Sequence, residues 1–190
     1  MNAEYIDISE ENASARVESA IRAALYGLGR DISRALVLCI GSDRATGDAL
    51  GPLVGSRLGA GSLPKDITVL GTLESTVHAA NFAEAYERIK KRHPNTIVIA
   101  VDASLGHSGM VGSVKVSPGA MTPGAGALNS LPPAGDMYIT GIVGKSGGSD
   151  RISQALTLQT TKLAFVMDMA DVISDGLLRA FGKKLTKTEY

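Results

Sequence analysis

The sequence predicts an α/β sandwich built on a mostly parallel β-sheet with an antiparallel edge. Three short runs, 35–41, 67–72 and 96–103, are β-branched and apolar on both faces, as the buried strands of a parallel sheet are. Helical patterns separate these runs, and an alternation of strands and helices indicates right-handed βαβ units. The run 109–117 alternates between polar and apolar residues, which predicts an antiparallel strand at the edge of the sheet.

The helical patterns are periodic and have recognisable ends. From residue 12 onward, apolar residues recur at helical spacing until Gly27 and Gly29 end the pattern. Pro52 stands where a first helical turn begins, because its fixed φ suits that position. The predicted helices are 12–28, 51–59, 77–92 and 158–181, and a further strand is predicted at 137–143.

One domain is predicted for the whole chain, because 190 residues fall within the roughly 100–200 residues of a single domain. Its core is expected at 35–181, followed by a frayed polar tail at 182–190. The segment 118–135 is rich in Gly and Pro, nearly free of charge, and long for a loop of a compact domain. We therefore expect a functional or mobile loop that lines or covers a cleft.

Composition argues against several classes of partner. The 19 basic and 19 acidic residues cancel, so the overall charge offers no footprint for nucleic acid or an anionic membrane. Aromatic residues make up 4%, too few for a platform that stacks bases. The acidic first residues are unlike a signal peptide, and no apolar stretch approaches the roughly 20 residues that span a bilayer. We expect a soluble, cytoplasmic protein whose single cysteine, Cys39, is a buried apolar residue.

The densest group of polar residues lies between Gly41 and Pro52, where the first predicted strand passes into a helix. In open α/β sheets the ligand crevice lies at such carboxyl ends of strands. Turns and caps explain part of this group, because Asp and Thr cap helices and Gly permits bends. Two carboxylates and an arginine within six residues exceed what a cap requires, so the candidate site residues are Asp43, Arg44, Thr46 and Asp48.

Two further segments reach the same predicted edge of the sheet. Asp102 ends the most apolar strand of the chain, where a lone Asp is usually a satisfied hydrogen-bond acceptor. Glu74 and His78 follow the second strand, and His78 either packs at a helix start or belongs to the site. Because parallel strands end on one side of a sheet, we expect Asp102 to face the 43–48 turn across the crevice.

Two carboxylates in a partly dry cleft have a definite chemistry. They do not both ionise easily, so one pKa rises and the pair shares a proton. One carboxylate then activates water while the other protonates the substrate. The same pair with a histidine is alternatively suited to a divalent metal, which polarises a carbonyl or activates water.

Five segments together resemble the YyaC-type spore proteases, a sporulation protein family, and the match spans about 35 to 175. The segments are CIGSDRATGDALGPLVG (39–55), LGTLESTVHAAN (70–81), IAVDASLG (99–106), PGAGALNSLPPAGD (123–136) and ITGIVG (139–144). This family looks distantly related to the spore germination protease and to the hydrogenase maturation proteases. The resemblance implies a three-layer α/β/α fold of the phosphorylase/hydrolase-like type.

The same resemblance implies roles for two aspartates. In the germination protease, an Asp before Ala-Leu-Gly-Pro and an Asp-Ala at a later strand end carry peptide cleavage, and these positions match Asp48 and Asp102. In the maturation proteases, acidic residues at comparable places bind a metal with the help of a later His, for which this sequence has no secure match. The interior of the spore or forespore is the location that the resemblance implies.

Three hypotheses follow. The leading one is a sporulation-associated endopeptidase in which Asp48 and Asp102 act on water, and the residues in supporting or substrate-binding roles are Asp43, Arg44, Thr46, Glu74 and His78. The second is a non-catalytic module that binds a peptide or protein, since no third ligand and no propeptide like that of the germination protease are visible. The third keeps the enzyme and gives it a divalent metal at Asp48 and Asp102, with His78 as a further candidate; no other cofactor is predicted. The partner is a protein or peptide in each case, and the oligomeric state stays open.

Overall fold

The apolar runs of the sequence form the strands of one sheet. The computed structural model describes residues 3–30, 34–92, 94–123, 131–147 and 150–182. The strands in these residues are β1 (Glu4–Asp7), β2 (Ala35–Cys39), β3 (Ile67–Leu70), β4 (Ile97–Gly106), β5 (Ser113–Pro118) and β6 (Met137–Lys145). Their order across the sheet is β1-β5-β6-β4-β2-β3.

The sheet is mostly parallel, as predicted. β2 pairs in parallel with both β3 and β4, and β4 pairs in parallel with β6. β5 runs antiparallel to β6, and β1 runs antiparallel to β5. The predicted fold class is confirmed, but the antiparallel edge consists of two strands, and β1 rather than β5 is the outermost. The sequence does not indicate β1, because only Ile6 of its four residues is buried.

Two of the predicted helices differ from the structure by more than one residue at an end. The helices in the described residues are α1 (Ala13–Gly27), α2 (Leu50–Ala60), α3 (Phe82–Arg92), α4 (Arg151–Thr160) and α5 (Leu163–Gly182). The single helix predicted at 158–181 is divided between α4 and α5, because Thr161 takes an extended conformation with φ −62° and ψ 137°. The helix predicted at 77–92 begins at Phe82, and residues 77–81 form a turn before it.

Helices cover both faces of the sheet. α1, α2 and α5 pack on one face, around buried side chains that include Val37, Ile99 and Ile139. On the opposite face, Phe82 of α3 is fully buried in a second, smaller cluster with Leu38. Successive residues of a strand point to opposite faces, so the buried strands supply both clusters. Their continuous apolar sequence is explained by this two-sided burial.

The glycine-rich loop predicted at 118–135 has ends that pair with each other. Met121 and Ala134 exchange two backbone hydrogen bonds of 2.9 and 2.8 Å. The central residues 124–130 lie outside the described part of the chain. The structure can therefore be compared with the prediction that this loop lines a cleft only at residues 118–123 and 131–135.

Three smaller predictions meet the structure as follows. Of the tail predicted at 182–190, only Gly182 is described, as the last residue of α5. Cys39 is buried as predicted, and burial raises the pKa of its thiol. Within the described ranges, every helix is too short or too polar to cross a membrane.

Candidate active site

The turn after β2 is shaped by close contacts between backbones. Gly41 has a φ of 142°, and a Cβ there would lie 2.0 Å from the carbonyl oxygen of Asp48. A Cβ at Gly51 would lie 2.1 Å from the carbonyl oxygen of Ile40. The Ser42 amide donates to the Asp48 carbonyl at 3.2 Å. Because glycine permits these approaches, the start of α2 rests directly on the end of β2 and holds Asp48 at the edge of the sheet.

Asp48 stands in the short 3₁₀ turn at 47–49 that leads into α2, and it is half-buried. Burial raises the pKa of its carboxyl, although hydrogen bonds from Ser42 and the charge of His78 act in the opposite direction. A carboxyl with a raised pKa keeps its proton to a higher pH than an exposed one does. Asp48 is therefore suited to donate a proton to a bound molecule.

Asp102 lies inside β4, which continues to Gly106 and does not end at Asp102 as the sequence predicts. Its neighbour Val101 pairs with Cys39, the last residue of β2, so Asp102 is level with the start of the β2–α2 turn. Side chains alternate along a strand, and Asp102 points to the face that α3 covers, opposite to Val101. Asp102 is 3% exposed, and its Oδ1 accepts a hydrogen bond of 2.8 Å from the Ala103 amide.

His78 lies in the turn between β3 and α3, which is tied to the β2–α2 turn. The Gly41 amide donates to the Val77 carbonyl at 2.9 Å. The His78 amide donates to Oδ1 of Asn81, and Nδ1 of His78 accepts from the Ala80 amide at 3.2 Å. Because Nδ1 is an acceptor, the proton of the neutral ring is on Nε2. This capped turn also explains why α3 begins later than predicted.

A cleft of about 330 Å³ lies over the carboxyl ends of β2 and β4. The predicted site residues that line it are Arg44, Asp48, His78 and Asp102. Asp43, Thr46 and Glu74 do not line it, and the side chains of Asp43 and Glu74 are exposed. The structure thus brings both aspartates into the lining of one cleft and leaves three of the seven predicted residues outside it.

Leu131, which belongs to the loop that the sequence predicts to line or cover a cleft, lines this one. Another wall comes from residues that the sequence analysis did not find, namely Ala155, Leu158 and Gln159 of α4. The Asp150 side chain caps α4 by accepting from the Ile152 and Ser153 amides at 3.1 and 3.0 Å. An Asp followed by a helical pattern is an N-cap signal that could have indicated this helix. The position of α4 against the cleft depends on tertiary packing, and no local sequence pattern indicates it.

The described residues do not offer a metal site with three protein ligands. No three His, Cys, Asp or Glu side chains among them are grouped closely enough to hold a metal ion. Catalytic zinc sites, for comparison, use three protein ligands, and Asp48, Asp102 and His78 do not make such a set.

Two carboxyl groups in one cleft are sufficient for acid and base chemistry. One of them can accept a proton from water while the other, kept protonated by burial, donates a proton to a leaving group. His78 adds an Nε2–H donor and Arg44 adds a positive charge. This combination is suited to the hydrolysis of a bond with a carbonyl group.

The fold that carries this cleft is shared with a protease. The chain is similar in structure to the NiFe hydrogenase maturation protease HycI from Thermococcus kodakarensis KOD1. The TM-score is 0.52, the match covers 83% of this chain and 97% of that chain, and the sequence identity is 19%. At this identity the similarity shows the fold alone, which is a protease-like α/β fold with helices on both sides of the sheet.

The sequence shows the family to which the chain belongs. The model of the family DUF1256, described as a protein of unknown function, matches residues 5–176, so the chain is a member of this family. The chain is also 41% identical over 175 residues to the protein YyaC of Bacillus subtilis (strain 168), described as uncharacterized. That match covers 92% of this chain and 82% of YyaC. The resemblance to YyaC is confirmed, and the role as a spore protease stays a prediction.

Proposed function

We propose that the chain is a peptidase that cleaves a protein substrate, with Asp48 and Asp102 acting on a water molecule. The observation that carries this proposal is that both carboxyl groups, one from the β2–α2 turn and one from β4, line the same cleft. Their environments differ: burial raises the pKa of Asp48, whereas Oδ1 of Asp102 accepts a hydrogen bond of 2.8 Å from the Ala103 amide, which favours a charged carboxylate. Different environments divide the roles of acid and base between two carboxyl groups. The protease-like fold supports the same reaction class.

In the proposed reaction, the ionised carboxylate of Asp102 takes a proton from water as the water oxygen bonds to the carbonyl carbon of the scissile peptide. The protonated carboxyl of Asp48 then gives its proton to the peptide nitrogen as the carbon–nitrogen bond breaks. The products are a carboxylic acid and an amine. The proton held by Asp102 passes to Asp48, which restores the starting state of the pair.

The biological setting of this proposal is sporulation. It is supported by the segments around Asp48 and Asp102, which resemble the YyaC-type spore proteases. The proposed location is the interior of the spore or forespore.

The test compares cleavage by the wild-type protein, Asp48→Asn and Asp102→Asn. Each protein is incubated with an extract of sporulating Bacillus subtilis cells that lack YyaC, and new peptide amino termini are labelled and identified by mass spectrometry. The wild type is expected to produce a defined set of new termini. Each substitution removes general acid–base catalysis and is expected to lower their yield by about 100-fold or more.

Asp168→Asn is the matched control, because Asp168 is an exposed carboxylate of α5 outside the cleft. It is expected to cleave like the wild type. Cleavage at the wild-type rate by both Asp48→Asn and Asp102→Asn would refute the proposal. Wild-type protein that binds peptides in the cleft and cuts none would support the non-catalytic binding module instead.

A further inference from the structure

Two large apolar side chains are exposed on α4, the helix that forms one wall of the cleft. Among the described residues, the exposed large hydrophobic side chains are Tyr5, Tyr26, Leu73, Ile152, Leu156, Leu163 and Met167. Ile152 and Leu156 of α4 are 79% and 56% exposed, whereas Leu163 and Met167 belong to α5. Single exposed apolar residues are ordinary, but a concentration of them marks an interaction surface.

Ile152 and Leu156 lie on the same side of α4 as two residues of the cleft. Positions three, four and seven apart share one face of a helix, and Ala155 and Gln159 follow Ile152 by three and seven residues. Ala155 and Gln159 both line the cleft. Leu158, the third cleft residue of α4, points to the buried side of the helix, so Ile152 and Leu156 lie at the solvent-facing border of the α4 surface that lines the cleft.

The packing of α4 does not depend on these exposed side chains. Leu158 is the buried residue of α4, and a Cβ at Gly47 would lie 3.0 Å from its side chain, so the two elements are in close contact. The Asp150 side chain caps the amino end of the helix. Since neither anchor involves Ile152 or Leu156, the fold alone does not explain why these exposed positions are apolar.

Arg44 supplies a positive charge at the same cleft. Its side chain is exposed and lines the cleft. No carboxylate of the described residues forms an ion pair with it, whereas the comparable Arg57 of α2 pairs with Asp171. A guanidinium group binds a carboxylate through parallel N–H donors. A carboxylate is therefore the group that complements this part of the cleft.

We infer that the cleft selects an extended segment of protein that places apolar side chains against Ile152 and Leu156 and a carboxylate against Arg44. This inference rests on the proposed peptidase function and specifies its substrate. The carboxylate comes either from the side chain of a substrate Asp or Glu or from the free carboxyl terminus of the substrate chain. Both sources present the same chemistry to Arg44, and the experiment separates them.

The probes are pools of synthetic octapeptides that carry a fluorophore and a quencher on internal side chains. The pools differ in one feature at a time: Leu, Ile and Met against Ser, Thr and Gln, or Glu against Gln, or a free against an amidated carboxyl terminus. We expect the wild-type kcat/KM to be about tenfold or more higher for apolar than for polar pools. A similar factor is expected for one of the two carboxylate features, which identifies the source.

The variants assign each preference to its residues. The double variant Ile152→Ser/Leu156→Ser is expected to lose the apolar preference through a higher KM, with kcat little changed. Leu163→Ser is its matched control, because Leu163 of α5 is 55% exposed against 56% for Leu156; it is expected to keep the wild-type preference. Arg44→Gln is expected to bring the ratio of kcat/KM between the carboxylate and neutral pools close to one, whatever its effect on the overall rate, and to keep the apolar preference.

The outcomes separate this inference from the proposed function. Cleavage of all pools without an apolar preference, or a preference that persists in the double variant, overturns the inference and leaves the peptidase standing. If the wild type cuts none of the pools, their binding is measured by fluorescence anisotropy. Selective binding that the double variant loses then supports the docking surface and counts against the peptidase. Absent or unselective binding overturns the inference.

Discussion

The substitution Gly51→Ala tests whether α2 must rest directly on β2 for the cleft to form. The added Cβ would lie 2.1 Å from the carbonyl oxygen and 2.8 Å from the carbonyl carbon of Ile40. Close carbon–oxygen contacts are about 3.3 Å, so α2 must retreat by roughly 1 Å. Overpacking costs about 1–3 kcal/mol, and the higher helix propensity of alanine offsets about 0.5–1 kcal/mol of this. Because the clash is with backbone atoms that cannot rotate away, we expect the cost to lie near the upper end of this range and the net loss in the free energy of unfolding to be about 2 kcal/mol.

Urea unfolding followed by circular dichroism measures this loss, with Gly59→Ala as the control on the same helix. A Cβ at Gly59 meets nothing within 4 Å, so this variant is expected to gain about 0.5–1 kcal/mol of stability. In the cleavage assay, Gly51→Ala is expected to be about 100-fold slower, because a shift of about 1 Å displaces Asp48. A Gly51→Ala protein as stable as the wild type would refute the close seating of α2.

Four further substitutions, the last of them a control for the third, test other parts of the structure by urea unfolding. Asp48→Asn is expected to stabilise the protein at neutral pH. The raised pKa of Asp48 means that the folded state favours the protonated carboxyl, so the stability of the wild type falls as the pH rises from the unfolded-state pKa to the folded-state pKa. Asparagine does not ionise and avoids this loss. The gain should vanish below about pH 4, where the unfolded carboxyl is also protonated, and a gain that grew toward acid would contradict this. Phe82→Ala removes a fully buried ring beneath α3 and should cost about 3–5 kcal/mol, so a much smaller loss would show that α3 is loosely packed. Asp136→Ala should cost about 1–3 kcal/mol, because the Val98 amide that donates to its Oδ2 loses its partner. Arg30→Ala removes the surface ion pair with Asp136 and an exposed hydrogen bond to the Asn95 carbonyl and should cost less than about 1 kcal/mol, so equal losses would contradict the assignment.

The parallel core of the sheet can be predicted because burial on both faces leaves a continuous apolar run. β2 is buried at all five positions, and its run is evident in the sequence. β1 lacks that signal, because it is an outer strand with one buried residue and its pairing depends on β5. The sequence does not indicate the break between α4 and α5 for a different reason. The apolar periodicity runs on across Thr161, and only the backbone conformation changes there.

The candidate aspartates can be predicted from topology, whereas the rest of the cleft cannot. Asp48 follows β2 and Asp102 lies in the second half of the neighbouring parallel strand β4, and the crevice of an open α/β sheet lies at the carboxyl ends of such strands. Asp43 and Glu74 meet the same criteria, yet both are exposed outside the cleft. A position at the end of a strand identifies the loop that borders the crevice. Whether a residue of that loop lines the cleft depends on the direction of its side chain. That direction is set by backbone contacts such as those at Gly41.

In the proposed enzyme, the β2–α2 turn positions the catalytic carboxyl of Asp48 and tolerates few substitutions, whereas the surface of α4 selects the substrate and tolerates many. The backbone contacts at Gly41 and Gly51 leave no room for a side chain, so a change there moves Asp48 and should slow the cleavage of every peptide alike. Ile152 and Leu156 are exposed, and surface substitutions usually change stability by less than about 0.5 kcal/mol. Replacing them should therefore leave the carboxyl pair in place and change only the ranking of peptides. A ranking that changed in Gly51→Ala, or a uniform loss of rate in the α4 double variant, would show that chemistry and selectivity are not separated in this way.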